Sequence, residues 1–151
     1  MMITIRIILE ALILACLATL SIHDIRCHKV TNRSLWCMTP LAAGGIALNL
    51  MEKSWYCLPD VLLGGGIGFG VMLVVSLLTH NGIGGGDIKL AGLLGLVCGI
   101  RGILLLLLAA SFLGSVYGLI RSGKRKDGEI RLPFVPFMTA GFLFSAILSM
   151  I

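Results

Sequence analysis

Between Leu90 and Ile120 the chain carries a single charged side chain, Arg101. Such a run has few possible structures. In lipid every backbone polar group must be satisfied internally, which leaves helices and closed barrels. One straight helix of this length would reach roughly 45 Å, well beyond a bilayer core of about 30 Å. The interruption Gly99-Ile100-Arg101-Gly102 offers a place to divide it. We place the hinge at Arg101, giving one short span over about 87–100 and another over about 102–120. The first is only roughly 20 Å long, so it should start below the membrane surface or in a thinned region.

Four other apolar runs occupy about 3–22, 35–51, 61–79 and 132–151. The second contains Pro40 and the pair Gly44-Gly45. The third opens with a glycine cluster between Gly64 and Gly70, of the kind that lets membrane helices approach closely. The last begins with Pro133 and Pro136, where a helix tolerates proline best. The pattern predicts an all-α, polytopic membrane protein of about six transmembrane helices, with 1–151 as one transmembrane domain. Composition agrees: 58% of residues are hydrophobic and 13% charged, against about 25% charged in soluble domains. The first run does not read as a signal peptide, because Glu10 interrupts it and no small-x-small cleavage site stands before a soluble domain.

The twelve lysines and arginines divide unevenly. Arg26, Lys29, Arg33, Lys89, Arg121, Lys124, Arg125, Lys126 and Arg131 follow the first, third and fifth spans; Arg6, Lys53 and Arg101 are left for the other side. The positive-inside rule then puts both termini outside and the three basic loops in the cytoplasm of an inner (plasma) membrane protein. There is no basic stripe with interleaved aromatics, so the net charge of +5 is not a nucleic-acid footprint. The five cysteines form no CxxC pair and read as small buried hydrophobes. His23, Cys27, His28 and Cys37 fit no ligand spacing, so neither a metal nor a cofactor is expected.

Asn81 to Leu90 places four glycines, Asp87 and Lys89 between two apolar runs. A charge beside a membrane span is costly and is a functional candidate by default. Glu52, Asp60, Asp127 and Glu129 fall in evident loops, where solvation accounts for them. Glu10 can pair with Arg6 one turn earlier. That leaves Asp24 and Asp87, both at cytoplasmic ends of helices by the charge count. Two carboxylates brought close share a proton near neutral pH, so one can take a proton from water while the other polarises a peptide carbonyl. Plainer readings stay open here. Asp87 suits a helix N-cap, and Asp24 beside Arg26 and Lys29 suits a solvated ion pair.

Three segments carry a family resemblance. Gly82-Ile83-Gly84-Gly85-Gly86-Asp87-Ile88-Lys89-Leu90 resembles the GxGxGDxKL signature of type IV prepilin leader peptidases, membrane aspartyl proteases of the GxGD type. Asp24-Ile25-Arg26 with Val30-Thr31-Asn32 resembles that family's first loop, with Thr31 where proline is usual. Leu132-Pro133-Phe134-Val135-Pro136-Phe137 is similar to its PFGPF motif, with Val135 in the glycine position.

The resemblance implies a GxGD-type bundle with Asp24 and Asp87 as catalytic dyad. Gly84, Gly86, Lys89, Asn32, Pro133 and Pro136 would bind substrate or support the site, and Lys89 is equally accounted for as a topology anchor. The implied substrate is a prepilin or pseudopilin, cut after a glycine between its basic leader and its apolar helix at the cytoplasmic face. No paired CxxC motif precedes the spans, so the chain resembles short members that do not methylate their product, as in Flp-type or competence-like pseudopilus systems. A different class also fits six glycine-rich spans, namely a non-catalytic membrane scaffold or small transporter subunit. Against it, no inverted repeat is visible and the midspan regions lack ionisable residues apart from Glu10. Oligomeric state is not legible.

Overall fold

The computed structural model describes residues 2–27, 32–53, 58–78, 84–122 and 134–150. Among them it contains five helices and no strand: α1 (Met2–Cys27), α2 (Asn32–Lys53), α3 (Leu58–Leu78), α4 (Gly85–Ser122) and α5 (Val135–Met150). Three stretches are long and apolar enough to cross a membrane, Thr4–Ile22, Leu58–Leu78 and Gly85–Ile120, and Met38–Met51 and Val135–Leu148 are shorter apolar helices. The chain is therefore a helical membrane protein.

α3 shows how such a helix is built. Gly64, Gly65, Gly68 and Ser76 face inward, while Leu62, Leu63, Val74, Leu77 and Leu78 face outward. A water-soluble helix has the reverse arrangement. Lipid is as apolar as leucine, so burying leucine against another helix gains little there; close packing gains more, and small residues permit it. α3 packs on α4 in this way. A Cβ on Gly64 would lie 2.6 Å from the Gly95 carbonyl oxygen, and one on Gly68 would lie 2.5 Å from that of Ala91. The glycine cluster thus serves helix packing. α4 also packs against α2 and α5, and α1 against α2 and α5. Leu17, Leu90, Leu106, Val135 and Met138 fill the shared centre without exposure.

Several boundaries differ from the sequence expectation. α4 is broken at Gly99 (φ 69°, ψ −174°), not at Arg101. That backbone region is open essentially to glycine alone, so conformational freedom and not charge sets the hinge. α1 runs on through His23–Cys27, which takes Asp24 out of a loop and into the last turn of a helix. α2 starts at Asn32 rather than Leu35. α3 starts at Leu58, so Asp60 belongs to a helix and not to a loop. α5 covers Val135–Met150, with Phe134 before it non-helical; 132, 133 and 151 of the expected 132–151 span lie outside the described residues. Most of the basic 121–131 loop lies outside the described residues.

Candidate active site

α4 begins behind a glycine turn. Gly84 is outside the helix, Gly85 opens it, and the Asp87 amide donates to the Gly84 carbonyl at 3.0 Å. Gly84 therefore holds the capping position, and Asp87 sits in the first helical turn instead of being the N-cap. A carboxylate there meets the positive end of the helix dipole. What determines its direction is the stripe it belongs to. Asp87, Leu90, Ala91 and Leu94 recur at helical spacing, and all four are buried, Asp87 at 7% exposure. The carboxylate is therefore turned into the bundle and away from lipid. Beside it the turn is open among the described residues: a Cβ on Gly84 would come no nearer than 3.8 Å to Asp87 Oδ2, and one on Gly85 would meet none of them within 4 Å.

Helix directions put the other motifs at this same end. A cleft of about 810 Å³ at the opposite end has Arg6 and Glu10 of α1, Asn49 of α2, Asp60 of α3, Arg101 of α4 and Ser145 of α5 among its lining residues. α1 and α3 thus run away from the cleft, while α2, the first part of α4 and α5 run toward it. The last turn of α1, which includes Asp24, the start of α2 at Asn32 and the start of α5 therefore share the Asp87 end.

The remaining predicted residues fall as follows. Pro136 is the second residue of α5, whose first turn is closed by the Phe134 carbonyl accepting from Phe137 and Met138 at 3.1 Å each. Val135, at the position where the resembling motif has glycine, is fully buried in the core. Gly86 is half-buried in the first turn of α4. Lys89 is exposed and borders an apolar groove of about 430 Å³ formed with Leu35 and Thr39 of α2 and Phe69 of α3. The side chains of Asp24, Asn32, His23, Cys27 and Cys37, together with His28 and Pro133, lie outside the described residues. Glu10 pairs with Arg6 at 3.1 Å, as its spacing predicts.

Two polar residues that sequence reasoning passed over are Asp60 and Asn49. The Ile100 amide donates to Asp60 Oδ1 at 3.3 Å, and Asn49 Nδ2 donates to the Val97 carbonyl at 2.9 Å. Both bonds fall on the α4 break. Pro59-Asp60 is a recognisable helix-start signal, and Asn49 is a lone amide in an apolar run. Neither signal points to its partner.

A glycine turn that opens a membrane helix and an inward carboxylate in its first turn define a helical membrane protein with a candidate acid site at one end of its bundle. Comparison with known proteins makes this specific. The chain matches the type IV leader peptidase family over residues 11–119 and belongs to that family. It is 32% identical over 142 residues to a prepilin leader peptidase/N-methyltransferase of Bacillus subtilis (strain 168), covering 87% of this chain and 52% of the relative. It is 33% identical over 135 residues to a protein of the same description from Xanthomonas campestris pv. campestris, covering 85% of this chain and 46% of that one. The chain thus spans about half the length of the curated relatives it matches. No solved structure matches.

Proposed function

We propose that this chain is a membrane aspartic endopeptidase that removes the basic leader from prepilins or pseudopilins, Flp-like ones among them, at the cytoplasmic face of the inner membrane. The observation that carries the reading is Asp87, a buried carboxylate in the first turn of α4 at the end of the bundle where α1 finishes. Family membership supplies the reaction class. Asp24, in the last turn of α1, is the second member of the dyad.

In this reaction one carboxylate takes a proton from water as its oxygen bonds to the scissile carbonyl carbon. The other, protonated, donates to the carbonyl oxygen. Collapse of the tetrahedral species breaks the C–N bond as the leaving amine takes up a proton. The shared proton belongs to the pair, so acid and base are roles of the dyad and not of either residue. The turn at Gly84 and Gly85, open among the described residues, lets an extended substrate backbone reach Asp87; Gly86 serves the same turn, Asn32, Pro133 and Pro136 bind substrate or support the site, and Lys89 borders the entry.

The bundle is read as a GxGD-type arrangement of six spans, the break at Gly99 dividing α4 into two. The helix directions and the bias of basic residues support both termini outside and the dyad inside. The test is co-expression with a candidate prepilin. Asp24→Asn and Asp87→Asn should each abolish cleavage while the protein still inserts, and full cleavage by either variant rejects the dyad.

A further inference from the structure

The break in α4 is held by two other helices. Interrupting a helix frees backbone groups, and in a membrane protein these must find partners inside the protein. Here Asn49 of α2 donates to the Val97 carbonyl just before the break, at 2.9 Å. Asp60 of α3 accepts from the Ile100 amide just after it, at 3.3 Å. Gly99 fits between them with no room for a side chain, since a Cβ there would lie 2.5 Å from Asp60 Oδ2. The direction of the first part of α4 is therefore set by α2 and α3 and is not inherited from the helix that follows.

That first part is a lever. Asp87 stands twelve residues before Gly99, roughly 18 Å along the axis at 1.5 Å per residue. A tilt of about 3° at the break would carry Asp87 about 1 Å sideways, and a misplacement of that size can cost about a hundredfold in rate. Asp60 and Asn49 line the cleft at the far end of the bundle, too distant to touch a substrate held at Asp87.

We propose that Asp60 and Asn49 are positioning residues for the peptidase reaction: by clamping the α4 break they aim the segment that presents Asp87 to Asp24. The proposal rests on the dyad reading above. Its consequence is that contacts on the outer side of the bundle control chemistry on the inner side, through geometry alone. Oδ1 of Asp60 matters as a hydrogen-bond acceptor, so an asparagine amide oxygen can replace it.

The experiment pairs kinetics with a distance readout. Asp60→Ala, Asp60→Asn and Asn49→Ala are purified in detergent and assayed per inserted, folded molecule on a prepilin peptide. In parallel, Asp24→Cys with Asp87→Cys, the five native cysteines changed to alanine, is treated with a short bismaleimide, with and without the Asp60 and Asn49 changes. Asp60→Ala and Asn49→Ala should each lower kcat by about tenfold to a hundredfold with KM within about twofold. They should lower the cross-linking yield in step, and Asp60→Asn should recover most of both. Unchanged kcat and yield in the Ala variants overturn the clamp and leave the peptidase reading standing. An Asp60→Asn as impaired as Asp60→Ala also overturns it. If Asp60→Ala fails to insert, Asn49→Ala decides alone. Failure of the parent pair to cross-link rejects the dyad reading, and the clamp with it, before any clamp residue is changed.

Discussion

Gly64 of α3 and Gly95 of α4 meet backbone to backbone: a Cβ on Gly64 would stand 2.6 Å from the Gly95 carbonyl oxygen, and a Cβ on Gly95 would run into the Gly64 carbonyl. The contact couples the glycine cluster of one span to the helix that carries Asp87. Gly68 against Ala91 repeats it one turn nearer the site. In lipid, where apolar burial between helices gains little, this proximity is what orders the bundle.

Alanine at Gly64 or Gly68 should therefore force the two helices apart. Overpacking of this kind costs about 1–3 kcal/mol, and each variant should melt at lower temperature in detergent and process prepilin more slowly. Gly66 and Gly70 lie on the same helix with no described residue within 4 Å of a Cβ. Gly66→Ala and Gly70→Ala should melt no lower than the parent, because alanine is favoured over glycine within a helix by roughly 0.5–1 kcal/mol. Equal melting temperatures for Gly64→Ala and Gly66→Ala would contradict the packing account.

Gly99→Ala should destabilise for two separate reasons. The left-handed φ of 69° is unfavourable for any L side chain, and the new methyl would press on Asp60 Oδ2. Backbone strain at such positions costs about 1–3 kcal/mol. If strain dominates, adding Asp60→Ala will not restore the melting temperature; if the steric clash dominates, it will restore part of it. Thermal melts of the single and double variants separate the two.

Much of this architecture is legible in the sequence because lipid leaves so few choices. Apolar runs became helices, and the i,i+4 spacing of Arg6 and Glu10 became an ion pair. Helix ends were less legible. Asp60 and His23–Cys27 are polar, and polarity beside a span reads equally as loop or as a helix continuing past the lipid. The hinge was drawn to Arg101 by its charge, although the backbone turns at Gly99. At the candidate site, the glycine turn marked Asp87, and the stripe Asp87, Leu90, Ala91, Leu94 accounts for its burial. Asp60 and Asn49 were missed because their partners are backbone groups 40 and 48 residues away, and no local pattern encodes such pairings.

The Arg6–Glu10 pair should prove secondary. It lines the cleft away from Asp87, and its members are partly open to solvent. Pairs of this spacing contribute roughly 0.2–0.5 kcal/mol in isolated helices. Glu10→Gln should keep prepilin processing within about twofold of the parent, with a small fall in melting temperature that shrinks as salt is raised. Loss of processing in a well-folded Glu10→Gln would give Glu10 a role in the chemistry.

Asp87→Asn separates fold from function most sharply. The substitution keeps the size of the side chain and removes its charge from the first turn of α4, where a carboxylate gains about 0.3–1 kcal/mol from the helix dipole. The variant should therefore insert normally and melt slightly lower, with no detectable leader removal. Asp60→Asn shares the change of charge but acts at the break, and should retain most activity. Measured side by side on one prepilin, the two substitutions distinguish a carboxylate that reacts from one that only accepts a hydrogen bond.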